Sequence, residues 1–217
     1  MELRRWLSLI TVLGACVLVG ACSVDGDAVA GRPDLAPRGL TAADFGSGAA
    51  APIPPPAVGD ALADVIGRAS APGAAVTPPG CAPAPIDSAG AYAILGPGRA
   101  DRSTLTAAIA YADESLDAVA ERVRRCPTYT TTLSQVAVTE QPAPPAPEGV
   151  QTMAIARTIT TGGPGAEMVT STLTLIAQRD DVRIYVDYRR PGAEPVTPEA
   201  GADLDALFTK AVAAAFG

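Results

Sequence analysis

The feature that most constrains this fold is a run of alternating residues near the C-terminus. Between positions 182 and 188, every second residue is Val, Ile or Tyr, and a period of two is typical of a β-strand. The same reasoning predicts further strands at about 91–95, 105–111, 128–138, 152–161 and 168–178. The last three strands are joined by short connections at 162–165 and at Asp180-Asp181. Short connections predict hairpins, and hence an antiparallel sheet.

Amphipathic segments predict helices that cover this sheet. The segment opened by Asp113 carries apolar residues at spacings of three, four and three up to Cys126, so they share one stripe of a helix. Asp60 can cap a short helix that Gly67 ends. A longer helix is predicted from Pro198 to the C-terminus. The expected fold class is therefore α+β, an antiparallel β-sheet flanked by helices.

The N-terminus has the pattern of a lipoprotein export signal. Arg4 and Arg5 precede 15 uncharged residues, 6–20, and the sequence Val-Gly-Ala-Cys at 19–22 follows. This end resembles the bacterial lipobox, in which the cysteine becomes the first mature residue and carries diacylglycerol. We therefore predict lipidation of Cys22 and a membrane contact through that anchor. The alternatives are an uncleaved membrane helix and an ordinary signal peptide cut elsewhere.

Three parts of the chain are expected. Residues 1–21 are predicted to be the lipoprotein signal peptide and 22–57 a flexible linker rich in Pro, Gly and Ala, because few large apolar residues occur there. Residues 58–217 form the predicted α+β domain. Within the linker, Leu40 and Phe45 are candidates to dock on the domain.

Two cysteines remain for the exported domain, Cys81 and Cys126, since Cys16 leaves with the signal peptide. Two thiols in an exported domain most often oxidise to each other, so we predict one disulfide. The alternative is a redox-active pair, but the chain has no Cys-x-x-Cys spacing to lower a thiol pKa.

Charge and composition exclude several classes of function. Removing residues 1–21 takes away Glu2, Arg4 and Arg5, which leaves 14 basic and 22 acidic residues and a net charge of −8. Binding to nucleic acid needs a basic face, so no nucleic-acid partner is expected. The chain contains no histidine, which removes the commonest zinc ligand and every Ser-His or Cys-His arrangement. We expect no metal site and no cofactor.

Several short motifs occur together in the chain. They are Val24-Asp25-Gly26 after the lipobox, Leu62–Gly67, Thr77-Pro78-Pro79-Gly80-Cys81, Arg124-Arg125-Cys126-Pro127 and Leu204–Phe208. Together they resemble a family of functionally uncharacterised mycobacterial and other actinobacterial lipoproteins. That family in turn resembles the extracellular sensor domain of a mycobacterial serine/threonine kinase. The resemblance spans about 58–217 and implies a helix-flanked antiparallel sheet with a ligand cleft. The kinase domains carry two disulfides, whereas this chain can form one, so a cleft shaped by the second is not implied.

The candidate site residues are weak in catalytic character. Arg122, Arg124 and Arg125 form the densest positive cluster, and we interpret them as helix-end cations or as contacts to an anionic lipid or glycan. The segments 162–165 and Asp180-Asp181 are predicted turns. The proline-rich run 142–147 is a predicted stiff loop, with a partner-binding segment as the alternative.

The predicted function is non-enzymatic. We expect an extracytoplasmic lipoprotein on the outer face of the cell membrane, with a domain that binds an envelope protein or a lipid or glycan ligand. The alternative is a carboxylate-based hydrolase of cell-wall glycans, which needs two matched carboxylates at one cleft. The candidates Asp101, Asp113 and Asp117 have no spacing that brings two of them together.

Overall fold

The computed structural model describes residues 31–46, 49–68, 75–98, 102–163 and 165–217. The signal peptide, the lipobox and Cys22 lie outside these ranges, as does Asp101. Residues 31–217 form one compact unit. No helix in these ranges combines the length and the apolar character needed to cross a membrane.

One antiparallel sheet organises the described residues. Its nine strands have the order β1-β3-β4-β9-β8-β7-β6-β5-β2. The strands are β1 (Ala51–Pro52), β2 (Val76–Thr77), β3 (Asp87–Pro97), β4 (Thr104–Tyr111), β5 (Thr128–Thr131), β6 (Ser134–Gln141), β7 (Gln151–Thr161), β8 (Met168–Arg179) and β9 (Val182–Pro191). The predicted antiparallel α+β fold is confirmed. The strand predicted at 128–138 is wrong as a single element, because a turn before Ser134 folds it into the hairpin β5–β6.

The described ranges also contain three α-helices: α1 (Pro55–Val65), α2 (Leu116–Arg125) and α3 (Pro198–Phe216). Helix α1 begins earlier than the expected start at Asp60, because prolines are tolerated in a first turn where N–H groups have no helical partner. The side chain of Ser115, rather than Asp113, caps α2 by accepting a hydrogen bond from the backbone N–H of Ala118.

The sheet is covered on both faces. On one face, α3 packs on the even-numbered residues of β9, such as Ile184 and Val186. On the other face, α1 and α2 pack over the odd-numbered residues of β9, such as Tyr185. Side chains on both faces of β9 are therefore buried. The polar residues at its odd-numbered positions consequently lie inside the protein.

The segment predicted as a flexible linker is instead packed from residue 31 onward. Leu35 is 1% exposed, and Leu40 and Phe45 are also buried against α3 and the sheet. Arg38 donates two hydrogen bonds to the carbonyl of Ala215. The linker prediction is wrong for the described residues 31–46 and 49–57, because a few apolar side chains spaced along an irregular segment suffice to hold it. The predicted docking of Leu40 and Phe45 is confirmed.

The predicted disulfide is present. Cys81 and Cys126 are bonded, with Cα atoms 5.6 Å apart, and both are buried. The bond joins a short 3₁₀ turn, Pro79–Cys81, to the end of α2. It therefore ties the irregular segment after β2 to the helix that covers the second face of the sheet.

Candidate functional site

A cavity of about 40 Å³ lies under the disulfide, between α2, the end of α1 and the sheet. Most of its lining is aliphatic, and three arginines and two tyrosines supply the polar groups. The lining residues are Ile66, Cys81, Pro83, Ile86, Val119, Arg122, Val123, Cys126, Tyr129, Val138, Ile155, Arg157, Ile176, Arg183 and Tyr185.

Strand registry brings the polar groups of this region to one face. Arg157 on β7 is paired with Thr172 on β8, and Thr174 is paired with Asp187 on β9. Side chains two residues apart on a strand share a face. Arg157, Thr174 and Asp187 therefore lie on the face that α1 and α2 cover.

Arg157 is a buried cation of the site. Its side chain is 7% exposed. Its Nη1 donates hydrogen bonds to the carbonyl of Val65 (3.2 Å) and to the hydroxyl of Thr174 (2.9 Å). Among the described residues, its Nε and Nη2 have no hydrogen-bond partner and no carboxylate lies within 4 Å. Burial lowers the pKa of Arg157, because the charged guanidinium is removed from water.

The nearest buried acid is Asp187, which reaches Arg157 only through Thr174. The Thr174 hydroxyl donates a 2.6 Å hydrogen bond to Oδ1 of Asp187. Burial raises the pKa of Asp187 from 3.8 to about 7, against the smaller opposing effects of this hydrogen bond and of Arg157 and Arg189. Arg189 is itself paired with Asp64 on α1, at 2.7 Å.

Gly67 packs directly on the guanidinium of Arg157. Its φ is +75°, and a Cβ at this position would lie 2.9 Å from Nε of Arg157 and 2.9 Å from the hydroxyl of Tyr129. Tyr129 donates a 2.8 Å hydrogen bond to the carbonyl of Gly67. A glycine is therefore needed here both for its backbone conformation and for the space beside Arg157.

The other two arginines of the cavity are occupied. Arg122 forms a two-pronged ion pair with Glu114. Arg183 donates to the side chain of Gln178 through Nε and Nη2, and it also bonds the carbonyl of Glu114 and the hydroxyl of Tyr185. These contacts fix the positions of both guanidinium groups.

The structure separates the arginines that the sequence placed in one candidate anion site. Arg122 lines the cavity, whereas Arg124 and Arg125 are exposed and pair with Glu140 at 3.4 Å and Glu121 at 3.5 Å. The three side chains therefore do not form one cluster, and anion contact by them stays a prediction.

Neither of the two candidate carboxylates that the structure describes, Asp113 and Asp117, lines the cavity. Asp113 pairs with Arg32 at 2.8 Å, and Asp117 lies in the first turn of α2. No Asp or Glu lines the cavity. In the described parts of the chain, no group of three or more His, Cys, Asp or Glu residues is placed to hold a metal ion.

The sequence did not identify Arg157, Thr174 or Asp187 as site residues. The available signal was the presence of a charged residue at an inward position of an apolar strand: Arg157 follows Met153 and Ile155 in the two-residue period. The missing information was which face α1 and α2 would cover.

Fold and cavity together define an α+β domain with a small, mostly apolar pocket that contains buried arginines. No protein-family model matches the chain, and no curated protein matches it. A putative uncharacterized protein from Mycobacterium smegmatis has a similar structure, with 14% identity and a TM-score of 0.43, covering 76% of this chain and 85% of that one.

The extracellular domain of PknH from Mycobacterium tuberculosis is also similar, with 16% identity and a TM-score of 0.42, covering 80% of this chain and 92% of that one. This finding agrees with the predicted resemblance to a kinase extracellular domain, whereas membership of a lipoprotein family is not shown. Both TM-scores are below 0.5, so the function is argued from this chain's own residues.

Proposed function

We propose that this chain is a lipid-anchored extracytoplasmic protein whose domain binds a small ligand, without chemistry, in the cavity under the disulfide. The observation that carries the proposal is the cavity itself: an aliphatic lining in which a few arginine and tyrosine groups are held in fixed positions. Ligand sites are usually concave and apolar, with a small number of placed polar groups.

The lining supports binding rather than catalysis. Its two cysteines are joined to each other, and it contains no serine, histidine or carboxylate to act as nucleophile or general base. The alternative of a carboxylate-based glycan hydrolase has no supporting geometry, since no pair of carboxylates faces the cavity. Incubating the full-length chain with peptidoglycan and arabinogalactan fragments tests this point, and released sugar would contradict the binding function.

A blocked cavity tests the site directly. Val123 lines the cavity and is half-buried, whereas Ala118 is exposed on the same helix. The full-length chain is extracted under mild conditions, and retained small molecules are identified by mass spectrometry. We expect Val123→Phe to lose the retained molecule and Ala118→Phe to keep it. Equal retention of the molecule by both variants would show that it does not bind in this cavity.

The anchor is a separate part of the proposal. Metabolic labelling with a fatty-acid probe should mark the wild-type chain, and Cys22→Ala should lose the label. Cys16→Ala removes the other N-terminal thiol and should keep the label, so it is the matched control. Unchanged labelling of Cys22→Ala would show that the anchor assignment is wrong.

A further inference from the structure

We propose that the ligand is a small organic monocarboxylate with a compact apolar group, and that Nε and Nη2 of Arg157 hold its carboxylate. This inference rests on the proposed function, because it names the class of molecule that the same cavity binds.

The first argument is that no carboxylate contacts the buried charge of Arg157. The side chain is 93% buried, yet the described residues give it only neutral hydrogen-bond partners, Val65 and Thr174. The nearest buried acid, Asp187, reaches it only through Thr174. Removing water strengthens the attraction of a buried charge to an anion. An anionic group in the cavity would contact the guanidinium directly.

The second argument is the geometry of the free donors. Arg157 uses Nη1 for both of its hydrogen bonds, which leaves Nε–H and one Nη2–H on the same edge of the guanidinium. These two parallel donors match the two oxygens of a carboxylate. Because Arg122 and Arg183 are already engaged, one guanidinium edge is available, so the ligand should carry one negative charge.

The third argument concerns the rest of the ligand. Aliphatic side chains such as Val119, Ile155 and Ile176 surround the cavity, and Tyr129 and Tyr185 add aromatic surface. This lining favours an apolar group over a sugar or another polyol. The volume of about 40 Å³ favours a compact group over a long acyl chain.

Acetate and acetamide test the charge requirement, because they have nearly the same shape and differ in charge, and both are small enough for a cavity of this volume. Binding of each to the full-length chain is measured by calorimetry at pH 8. We expect acetate to bind about tenfold or more tightly than acetamide, since hydrogen bonds to charged groups are among the stronger ones. Methyl phosphate, a dianion, should bind more weakly than acetate.

Two variants assign the preference to Arg157. Arg157→Met should remove the preference for acetate, and Arg157→Lys, which keeps the charge but not the paired donors, should reduce it. Arg125→Met removes an exposed positive charge and should leave the preference unchanged. Circular dichroism of each variant establishes that it is folded. The comparison of probes on the wild-type chain tests the charge requirement even where a variant does not fold.

The outcomes are distinguishable. Equal affinity for acetate and acetamide would overturn the carboxylate assignment and leave the binding function standing. Tighter binding of methyl phosphate would replace carboxylate by phosphate. Absence of binding by all three probes would contradict both the inference and the proposed small-ligand function. A full preference for acetate in Arg157→Met would assign the carboxylate contact to another residue.

Discussion

Asp187 makes the stability of the domain depend on pH in a way that can be calculated. Asp187 is 2% exposed, and burial raises the pKa of its carboxyl from 3.8 to about 7. The hydrogen bond from Thr174 and the charges of Arg157 and Arg189 lower this pKa by less, and the charge of Asp64 raises it further. Between these pH values the folded state binds a proton that the unfolded state has lost. The free energy of unfolding therefore falls as the pH rises from about 4 to about 7, and it levels off above that, where Asp187 is ionised in both states. At about 1.4 kcal/mol per unit, this loss reaches about 4 kcal/mol.

Asp187→Asn isolates this effect, because an amide oxygen can still accept the Thr174 hydrogen bond and cannot ionise. Urea unfolding followed by circular dichroism at pH 4, 6 and 8 should show the variant more stable at pH 8, by up to about 4 kcal/mol. The difference should shrink towards zero at pH 4. Asp180→Asn, in the exposed turn between β8 and β9, is the control and should show no such trend. A variant less stable than wild type at pH 8 would mean that the arginines compensate the buried carboxylate.

Three further predictions concern the frame around the site. Cys81→Ser and Cys126→Ser should each destabilise the domain by about 4 kcal/mol, and the double variant should be destabilised by no more than either, because each change removes the same bond. Thiol titration of the denatured wild-type domain should find neither thiol free. Gly67→Ala should cost more unfolding free energy than Gly149→Ala, which has nearly the same φ but open space around it, and only Gly67→Ala should weaken acetate binding. Leu35→Ala should cost about 2–5 kcal/mol in urea unfolding, whereas a flexible linker would give no change.

The sequence predicted elements whose period is regular. The stripe of α2 places Leu116, Val119 and Cys126 inward because helical spacing is fixed by backbone geometry, and these three residues are buried. The disulfide followed from the same stripe together with the count of cysteines. In both cases local geometry alone decides which way a side chain points.

The candidate site depended on information that is not local. The alternation in β9 separates Asp187 from Val186, but it does not show that helices cover both sides of the strand. Leu35 and Phe45 similarly lie in a segment without any period, and their burial depends on grooves formed by α3 and distant strands. Charged residues inside such strands become recognisable only when the covering elements are in place.

The packed N-terminal segment also determines how far the domain can move from a membrane. Residue 31 already belongs to the compact unit, and Arg32 pairs with Asp113 ahead of α2 at 2.8 Å. With Cys22 acylated as proposed, the nine residue steps from Cys22 to residue 31 can span at most about 30 Å. The domain would then be confined to a thin layer above the bilayer, and its ligand would have to reach the cavity within that layer.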